Sequence, residues 1–261
     1  MKDRHADDWE ELAQREPYFA VLTHDDFLGV QSSNVASTAF FETGEADIAA
    51  LLAAVATVLG REIPLTSALD FGCGVGRLTL PLARRATRVV ACDVAPTMLA
   101  HARQNAEQAG LHNVTFIESH ELATLPDSQF DFIGSLLVLQ HIPVSAGYGI
   151  IRTLLRLLEP GGVAALHLTF GRPGGALRRM ARAAGAKSRF LHRAVGILRR
   201  ENLRLPYMQM NEYDERVLLR DIEAAGARLV SRSATRHGDT AGAVLIIEKR
   251  ASQYSTNASS G

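Results

Sequence analysis

Between residues 45 and 170 the chain alternates short apolar runs with segments whose apolar residues recur every three or four positions. The runs predict buried strands, and the recurring spacing predicts amphipathic helices. The predicted strands cover residues 68–71, 88–93, 114–118, 130–136 and 162–170, and the predicted helices cover residues 45–59, 76–86, 96–110 and 145–160. Strands that alternate with helices form mostly parallel sheets covered on both faces, so the pattern predicts a doubly wound α/β fold.

Beyond residue 170 the chain becomes strongly basic before helix and strand signals return. Ten Lys or Arg residues and one acid lie between Arg172 and Arg204, which gives this segment a net charge of +9. Helical spacing then covers residues 214–226, and apolar runs at residues 228–236 and 243–249 are joined by the short turn HGDTAG. Such a turn can connect only antiparallel neighbours, so we expect the sheet to end in an antiparallel pair.

The residues before position 45 mix acidic with aromatic side chains and lack a clear period, which indicates an irregular or helical cap. We therefore divide the chain into a cap at 1–44, a core at 45–170, a basic helical insert at 171–206, a C-terminal helix with the strand pair at 207–250, and a flexible tail at 251–261. With 261 residues, 47% hydrophobic and 21% charged, the chain has the composition of a globular protein.

Charge and cysteine content exclude several classes of protein. The 28 basic residues equal the 28 acidic residues, so the whole molecule has no field that would attract nucleic acid. No stretch approaches the roughly 18 consecutive apolar residues that span a membrane, and the start has no apolar signal region, so we expect a cytoplasmic protein. Cys73 and Cys92 are too few for a disulfide framework and lack metal-site spacing, so we expect two small buried thiols and no bound metal.

The segment LDFGCGVGRL places Gly72, Gly74 and Gly76 at alternate positions directly after the first predicted strand. A glycine-rich turn at this point lets a ligand approach the backbone beside the next helix. The spacing differs from the G-x-G-x-x-G of dinucleotide sites, because Arg77 stands in place of the third glycine. A phosphate-binding loop is excluded too, since no Gly-Lys-Ser or Gly-Lys-Thr follows.

Asp93 lies twenty-one residues after Gly72, at the end of the second predicted strand. A carboxylate at that place can accept both hydroxyls of a ribose. The alternative is a helix cap for the segment that starts near Pro96. Together with the glycine spacing, Asp93 favours a nucleoside ligand that has no pyrophosphate.

Four segments of the chain resemble the class I S-adenosylmethionine-dependent methyltransferases, and specifically the bacterial small-molecule group that contains ubiquinone-type and natural-product enzymes. These segments are LDFGCGVGRLT, VVACDVAPTML, FDFIGSLLVLQHIP and LLRLLEPGGVAAL. The resemblance implies a Rossmann-like seven-stranded sheet of order 3-2-1-4-5-7-6 whose last strand is antiparallel. It also implies S-adenosylmethionine as cofactor, and methyl transfer by in-line displacement to an oxygen or nitrogen atom of a small molecule.

The resemblance assigns the cofactor site to residues that follow the first four strands: Asp70, Gly72, Cys73, Gly74, Gly76, Asp93, Val94, Met98, His120, Glu121, Ser135 and Leu136. It implies that Asp70 and the backbone of Gly72 and Gly74 hold the methionine end of the cofactor. Asp93 would then accept the ribose hydroxyls, and the end of the fourth strand would lie beneath the sulfonium.

The adenine end of the site departs from the family pattern. Val94 and Met98 are expected to pack on the adenine ring. Family members commonly place an acid after the third strand to accept the adenine amino group, and the matching residue here is His120. Either the imidazole of His120 or the neighbouring Glu121 is expected to take that role.

A catalytic base is required when the acceptor is a hydroxyl, whereas an amine needs only to arrive neutral. His141, in LVLQHIP after the fourth strand, is the first candidate, since imidazole titrates near neutrality. A structural role is the alternative, because the same histidine recurs in relatives that act on unrelated acceptors. His167, inside the apolar run VAALHLTF, is expected to be a core histidine, and His24 in the cap is an outside candidate.

The cap and the insert lie outside the sheet and are expected to build the acceptor site. The aromatic cap predicts a hydrophobic pocket, with docking of Phe40 and Phe41 on the core as an equal alternative. The basic insert is interpreted as a solvated helix face, a site for an anionic acceptor, or, least favoured, a helix that contacts a membrane to reach a lipid or carrier-bound acceptor. Two other functions stay open: a cofactor-binding protein without transferase activity, and a nicotinamide oxidoreductase.

Overall fold

The computed structural model describes residues 4–22, 34–170, 210–237 and 240–251. The predicted basic insert at 171–206, nearly all of the predicted tail at 251–261, and His24 lie outside these residues. Within the described ranges, no helix combines the length and the apolar character that crossing a membrane requires.

Helices and strands alternate along the described chain. The helices are α1 (Arg4–Arg15), α2 (Pro17–Val21), α3 (Asn34–Leu59), α4 (Thr79–Ala83), α5 (Pro96–Gln108), α6 (Val144–Leu157) and α7 (Glu215–Ala224). The strands are β1 (Ser67–Phe71), β2 (Arg88–Asp93), β3 (Val114–Glu118), β4 (Phe130–Ser135), β5 (Leu158–Thr169), β6 (Ala227–His237) and β7 (Thr240–Lys249). Two short 3-10 helices, Ser119–Thr124 and Leu139–His141, follow β3 and β4.

The strands form one seven-stranded sheet in the order β3-β2-β1-β4-β5-β7-β6. Strands β1 to β5 run parallel, and β7 is antiparallel to both β5 and β6. The predicted strand order and the antiparallel end of the sheet are confirmed. Because β1 lies between β2 and β4, the strand order reverses there, and the loops after β1 and β4 border a crevice at the carboxyl edge.

Helices cover both faces of the sheet, so adjacent residues of a central strand enter different buried clusters. Phe132 of β4 belongs to the cluster that contains Ile48 of α3 and Leu82 of α4. Its neighbour Ile133 belongs to the cluster that contains Leu154 of α6. Every residue of β1 and β4 is buried, as expected for parallel strands that are covered on both faces.

Two helices, α3 and α4, differ most in length from the prediction. α3 begins at Asn34 instead of residue 45, because its first turns carry Phe40 into a buried cluster with the cap. It therefore crosses the predicted boundary between cap and core. α4 is confined to Thr79–Ala83 instead of 76–86, because Gly76 has a φ of +93°, which a right-handed helix does not contain.

The start of β5 also differs from the prediction. Pro160-Gly161-Gly162 was expected to separate a helix from a strand that begins at residue 162, yet β5 begins at Leu158. Leu158 pairs with Phe130 and Val163 with Phe132, so the residues between them bulge out of the ladder. β5 therefore begins directly after α6, and Pro160-Gly161-Gly162 lies within the bulge of this strand.

Gly44 of α3 and Gly149 of α6 are helical glycines with different surroundings. A Cβ at Gly44 would lie 2.0 Å from the carbonyl oxygen of Arg77, whereas a Cβ at Gly149 would meet nothing within 4 Å. We predict that Gly149→Ala raises the free energy of unfolding by up to about 1 kcal/mol through helix propensity. Gly44→Ala should lower it by about 1–3 kcal/mol, because the backbone of Arg77 must move.

Urea unfolding curves of the two variants and the wild type measure these free energies. Gly149→Ala is the matched control, because it makes the same chemical change inside a helix that has open space. Equal stabilisation by both substitutions would contradict the close contact between α3 and the loop after β1.

Candidate active site

Three glycines in the left-handed region shape the loop after β1. The φ angle is +76° at Gly72, +52° at Gly74 and +93° at Gly76. Other residues rarely adopt such angles, since their Cβ crowds the backbone. The resulting turn lets the N–H groups of Gly72 and Cys73 both donate to the carbonyl of Cys92 in β2, at 2.8 and 2.9 Å. The loop is thereby held against the carboxyl end of β2.

The same glycines allow side chains from two other parts of the chain to approach closely. A Cβ at Gly72 would lie 2.4 Å from the methyl groups of Val138, and one at Gly74 would lie 2.3 Å from Cγ2 of Val21. Val138 follows β4, and Val21 ends α2. The bare backbone that was predicted for ligand approach therefore also permits packing against the cap and against the turn after β4.

Asp93, the last residue of β2, joins the glycine loop to the start of α5. Its Oδ2 accepts a hydrogen bond from the N–H of Gly74 at 2.9 Å, and its Oδ1 accepts one from the N–H of Ala95 at 3.0 Å. Burial raises the pKa of Asp93, and these N–H donors oppose the rise. A carboxylate oxygen can accept two hydrogen bonds, so the group keeps capacity for further hydroxyl donors.

Asp70 lies near the carboxyl end of β1 and is only 1% exposed. Its Oδ2 accepts a hydrogen bond from the hydroxyl of Thr79 at 2.6 Å. Burial raises the pKa of Asp70 to about 6, although the Thr79 hydroxyl and the charge of Arg77 lower it, and the charge of Asp93 adds to the rise. Two carboxylates therefore lie at the carboxyl ends of the neighbouring strands β1 and β2.

Arg77, which the glycine spacing singled out only as a mismatch to dinucleotide sites, fixes the loop to α3. Its side chain is 3% exposed, and its Nη1 lies 2.6 Å from Oδ2 of Asp47. The same nitrogen lies 3.2 Å from the hydroxyl oxygen of Thr43. Sequence reasoning missed this role, because Asp47 precedes Arg77 by 30 residues and no spacing rule links them.

The end of β4 borders the same crevice. Ser135 is fully buried, and its hydroxyl oxygen has no hydrogen-bond partner within the part of the chain that the structure describes. Leu136 and Leu137 follow and are half-buried. Leu137 has a φ of +64°, a conformation that bulky side chains rarely adopt. The turn after β4 is therefore strained.

The structure places His141, the candidate base, and His167, the expected core histidine, in different surroundings. His141 ends the 3-10 helix after β4, and its ring packs edge-on against Trp9 of α1 with ring centroids 5.3 Å apart. Its Nε2 lies 3.2 Å from Nε2 of Gln140. His167 is buried in β5 with its Nε2 2.8 Å from the hydroxyl oxygen of Thr235, so its prediction as a core histidine is confirmed.

The cap docks on the start of α5 through Glu10 of α1. Its carboxylate accepts hydrogen bonds from both the backbone N–H and the hydroxyl of Thr97. Burial would raise the pKa of Glu10, but the hydrogen bonds from Thr97 and Gln14 lower it below its usual value. Phe40 is fully buried with Tyr18 edge-on against it, and its cluster, against which Phe41 packs, includes Val75 and Met98 of the core.

Comparisons with known proteins identify the central part of the chain. Residues 68–162 match the methyltransferase domain family. Over 100 residues the chain is 42% identical to the ubiquinone biosynthesis O-methyltransferase of Methylocella silvestris. This match covers 36% of each protein. Over 108 residues it is 36% identical to the Xylella fastidiosa enzyme of the same name, which covers 40% of this chain and 43% of that one. The domain at residues 68–162 belongs to the class I S-adenosylmethionine-dependent methyltransferases.

The matched segments span less than half the length of these curated relatives. Among solved structures, magnesium protoporphyrin IX methyltransferase from Synechocystis PCC 6803 is similar in fold, with a TM-score of 0.57 and 20% identity. That similarity covers 90% of this chain and 97% of the other. The methyltransferase fold therefore extends beyond the matched domain to the flanking elements.

In this methyltransferase domain the residues predicted for the adenine end have different surroundings. Met98 is buried in a cluster with residues of the cap, and Val94 is half-buried. Glu121 accepts a hydrogen bond from the N–H of Glu118 at 2.8 Å, so its carboxylate caps the short 3-10 helix. His120 is 76% exposed, with Nδ1 3.4 Å from a carboxylate oxygen of Glu118. Of the two candidates for the adenine contact, Glu121 is hydrogen-bonded to the backbone, whereas the His120 side chain is exposed.

The cysteines of the methyltransferase domain are both buried and free, as predicted. Burial raises the pKa of the Cys73 and Cys92 thiols, so neither is a thiolate near neutral pH. Among the residues of the four described ranges, no three His, Cys, Asp or Glu side chains are grouped as metal ligands would be.

Asp70 makes a distinct contribution to the pH dependence of stability. Its folded-state pKa of about 6 exceeds its ordinary value of 3.8, so the folded methyltransferase domain binds the proton more tightly than the unfolded chain. The favourable contribution is complete below about pH 4 and is lost as the pH rises through about 6. Asp70→Asn cannot ionise and keeps an acceptor for Thr79, so its stability relative to wild type should increase from about pH 4 to about pH 7.

Urea unfolding of both proteins at several pH values measures this difference in the free energy of unfolding. The other carboxylates titrate in the same way in both proteins, so their contributions cancel in the difference between the two free energies of unfolding. A difference that stays constant or falls as the pH rises would show that Asp70 does not have a raised pKa.

Proposed function

We propose that the protein transfers a methyl group from S-adenosylmethionine to an oxygen or nitrogen atom of a small-molecule acceptor. The observation that supports this most is the Asp93 carboxylate beside the left-handed glycine loop, at the point where the strand order reverses. Ligands of open α/β sheets bind in that crevice, and a carboxylate at the end of the second strand suits the hydroxyls of a ribose. The structure of the Synechocystis protein contains bound S-adenosylhomocysteine, which supports the same cofactor here.

The side chains at the crevice suit this cofactor. The Asp93 oxygens accept the N–H groups of Gly74 and Ala95, and the carboxylate keeps capacity for a ribose hydroxyl. The Asp70 and Asp93 carboxyl groups, when ionised, place negative charge at the crevice, whereas the sulfonium and ammonium groups of the cofactor are cationic. The buried Ser135 hydroxyl offers a polar contact at the end of β4. When bound, the cofactor supplies an electrophilic methyl group on its sulfonium.

Methyl transfer also needs an acceptor atom held in line with that methyl group and shielded from water. The cap and the turn after β4 meet where Trp9 packs on His141, so we place the acceptor beside this contact. The two curated relatives are named O-methyltransferases, which favours an oxygen atom as acceptor. The acceptor itself is then a small hydroxylated molecule.

An oxygen acceptor must lose its proton, and we assign His141 as the base. Among the described histidines, it is the one that lies in the loops after β1 or β4, which border the crevice. Its imidazole is positioned by the Trp9 ring and by Gln140. An imidazole with a pKa near neutrality can accept the proton at the pH of the cell.

Three further expectations from the sequence stay predictions. They are the cytoplasmic location, the absence of nucleic-acid binding, and the role of the basic segment Arg172–Arg204 as a solvated face, an anionic acceptor site or a membrane contact. The basic segment lies outside the described residues. Its role therefore rests on its composition alone, which is a net charge of +9.

We expect S-adenosylhomocysteine to stabilise the protein and NAD to leave its melting temperature unchanged. A ligand at about 100 times its Kd adds about 2.7 kcal/mol to the free energy of unfolding. Asp93→Asn should weaken S-adenosylhomocysteine binding by about tenfold or more, because a charged acceptor for the ribose hydroxyls is lost. Thermal-shift titrations of both proteins measure the two effects.

Asp127→Asn is the matched control, because Asp127 precedes β4 at the opposite edge of the sheet and is an exposed side chain that pairs with the half-buried Arg156. It should bind S-adenosylhomocysteine as the wild type does. Stabilisation by NAD alone would replace the proposed function with that of a nicotinamide oxidoreductase, and stabilisation by neither ligand would refute it.

His141→Gln should lower the rate of methyl transfer by about tenfold or more while S-adenosylhomocysteine affinity stays unchanged. The acceptor is found first by untargeted mass spectrometry of cell extract incubated with the protein and methyl-labelled cofactor. His112→Gln, an exposed histidine before β3, is the control. A smaller loss of turnover in His141→Gln would exclude the base role, and cofactor binding without any labelled product would favour a binding protein that has no transferase activity.

A further inference from the structure

Asn211 and Tyr213, which lie at the start of the described range 210–237, hold the turn after β4. The N–H of Asn211 donates to the carbonyl of Gln140 at 2.6 Å, and its side-chain amide lies 3.3 Å from the same oxygen. The hydroxyl of Tyr213 donates to the carbonyl of Leu139 at 2.8 Å and lies 3.3 Å from that of Ile142. Three carbonyl groups of this short turn therefore accept hydrogen bonds from two residues that follow it by about seventy positions.

The fit of Tyr213 is close on every side. The residue is 3% exposed, and its N–H donates to the carbonyl of Thr169 at the end of β5, at 2.9 Å. Gly147 of α6 leaves room for the hydroxyl, since a Cβ there would lie 2.0 Å from it. The ring packs edge-on against Tyr148 with centroids 5.4 Å apart. These contacts fix the Tyr213 hydroxyl opposite the carbonyl groups of the turn.

The turn needs such support because its backbone is strained. Leu137 has a φ of +64°, and a bulky residue keeps that angle only where its surroundings impose it. The next residue, Val138, places both methyl groups in the space beside Gly72. A shift of the turn would therefore move Val138 and change the pocket that Gly72 borders.

We propose that Tyr213, together with Asn211, is a positioning residue that sets the shape of the cofactor pocket by holding the turn Leu137–Ile142 against Gly72. This inference rests on the proposed function, which assigns the pocket beside Gly72 to S-adenosylmethionine. Both residues lie outside the matched domain at 68–162. The pocket thus depends on a segment of the chain that the domain itself does not contain.

Tyr213→Phe tests the proposal, because it removes the hydroxyl and keeps the ring in place. Calorimetric titration of the full chain with S-adenosylhomocysteine, at a temperature where every variant is folded, should show a Kd raised about fivefold or more. Gly147→Ala should raise the Kd in the same way, since its Cβ displaces the hydroxyl. Gly149→Ala, on the same helix with open space, should leave the Kd unchanged.

Tyr148→Phe separates positioning from stability. The hydroxyl of Tyr148 also makes two hydrogen bonds, with the N–H of Asp214 at 2.8 Å and its carbonyl at 3.1 Å, but neither reaches the turn. We expect both Tyr variants to melt at lower temperature and only Tyr213→Phe to bind S-adenosylhomocysteine more weakly. A wild-type Kd in Tyr213→Phe would overturn the proposal, whatever its melting temperature.

Asn211→Ala gives an independent measurement if Tyr213→Phe does not fold. It removes the side-chain contact with Gln140 and keeps the backbone hydrogen bond, so the Kd should again rise, and an unchanged Kd would overturn the proposal. Failure of the wild type itself to bind S-adenosylhomocysteine would refute the proposed function, which is a different outcome from wild-type binding by the variants.

Discussion

The carboxylate of Asp93 joins three parts of the carboxyl edge of the sheet. It ends β2, accepts the N–H of Gly74 in the loop after β1, and accepts the N–H of Ala95 before α5. A carboxylate that is partly removed from water is stable only where donors replace the lost water. The left-handed angles of the glycines present such a donor, so the loop conformation and the charge of Asp93 depend on each other.

The position of the cap follows from the same edge of the sheet. The first N–H groups of α5 have no partners within the helix, and Glu10 of α1 accepts the one from Thr97. The charge of Glu10 raises the pKa of Asp93, so two carboxylates share the start of one helix. The cap also sends Val21 against Gly74. The cap, α5 and the glycine loop therefore pack against one another.

The sequence predicted those features whose signal is local. β2 and β3 have the predicted bounds, because each is a short and largely apolar run that helical segments separate from its neighbours. The glycine loop and Asp93 could be located too, since left-handed backbone demands glycine and the spacing to the next strand is short. The ion pair of Arg77 with Asp47 and the contact of Glu10 with Thr97 could not, because they join residues 30 and 87 positions apart and depend on the finished packing.

Two unfavourable local states lie beside the crevice, and other elements stabilise each of them. Asp70 is buried with a pKa of about 6, and Thr79 supplies its hydrogen bond. Leu137 is left-handed, and the turn that contains it is held by Tyr213. Such local conflicts are typical of functional sites, where surrounding structure imposes conformations that the segment alone would not keep. Part of this support comes from Tyr213, so the turn beside the crevice contacts a residue outside the matched range 68–162.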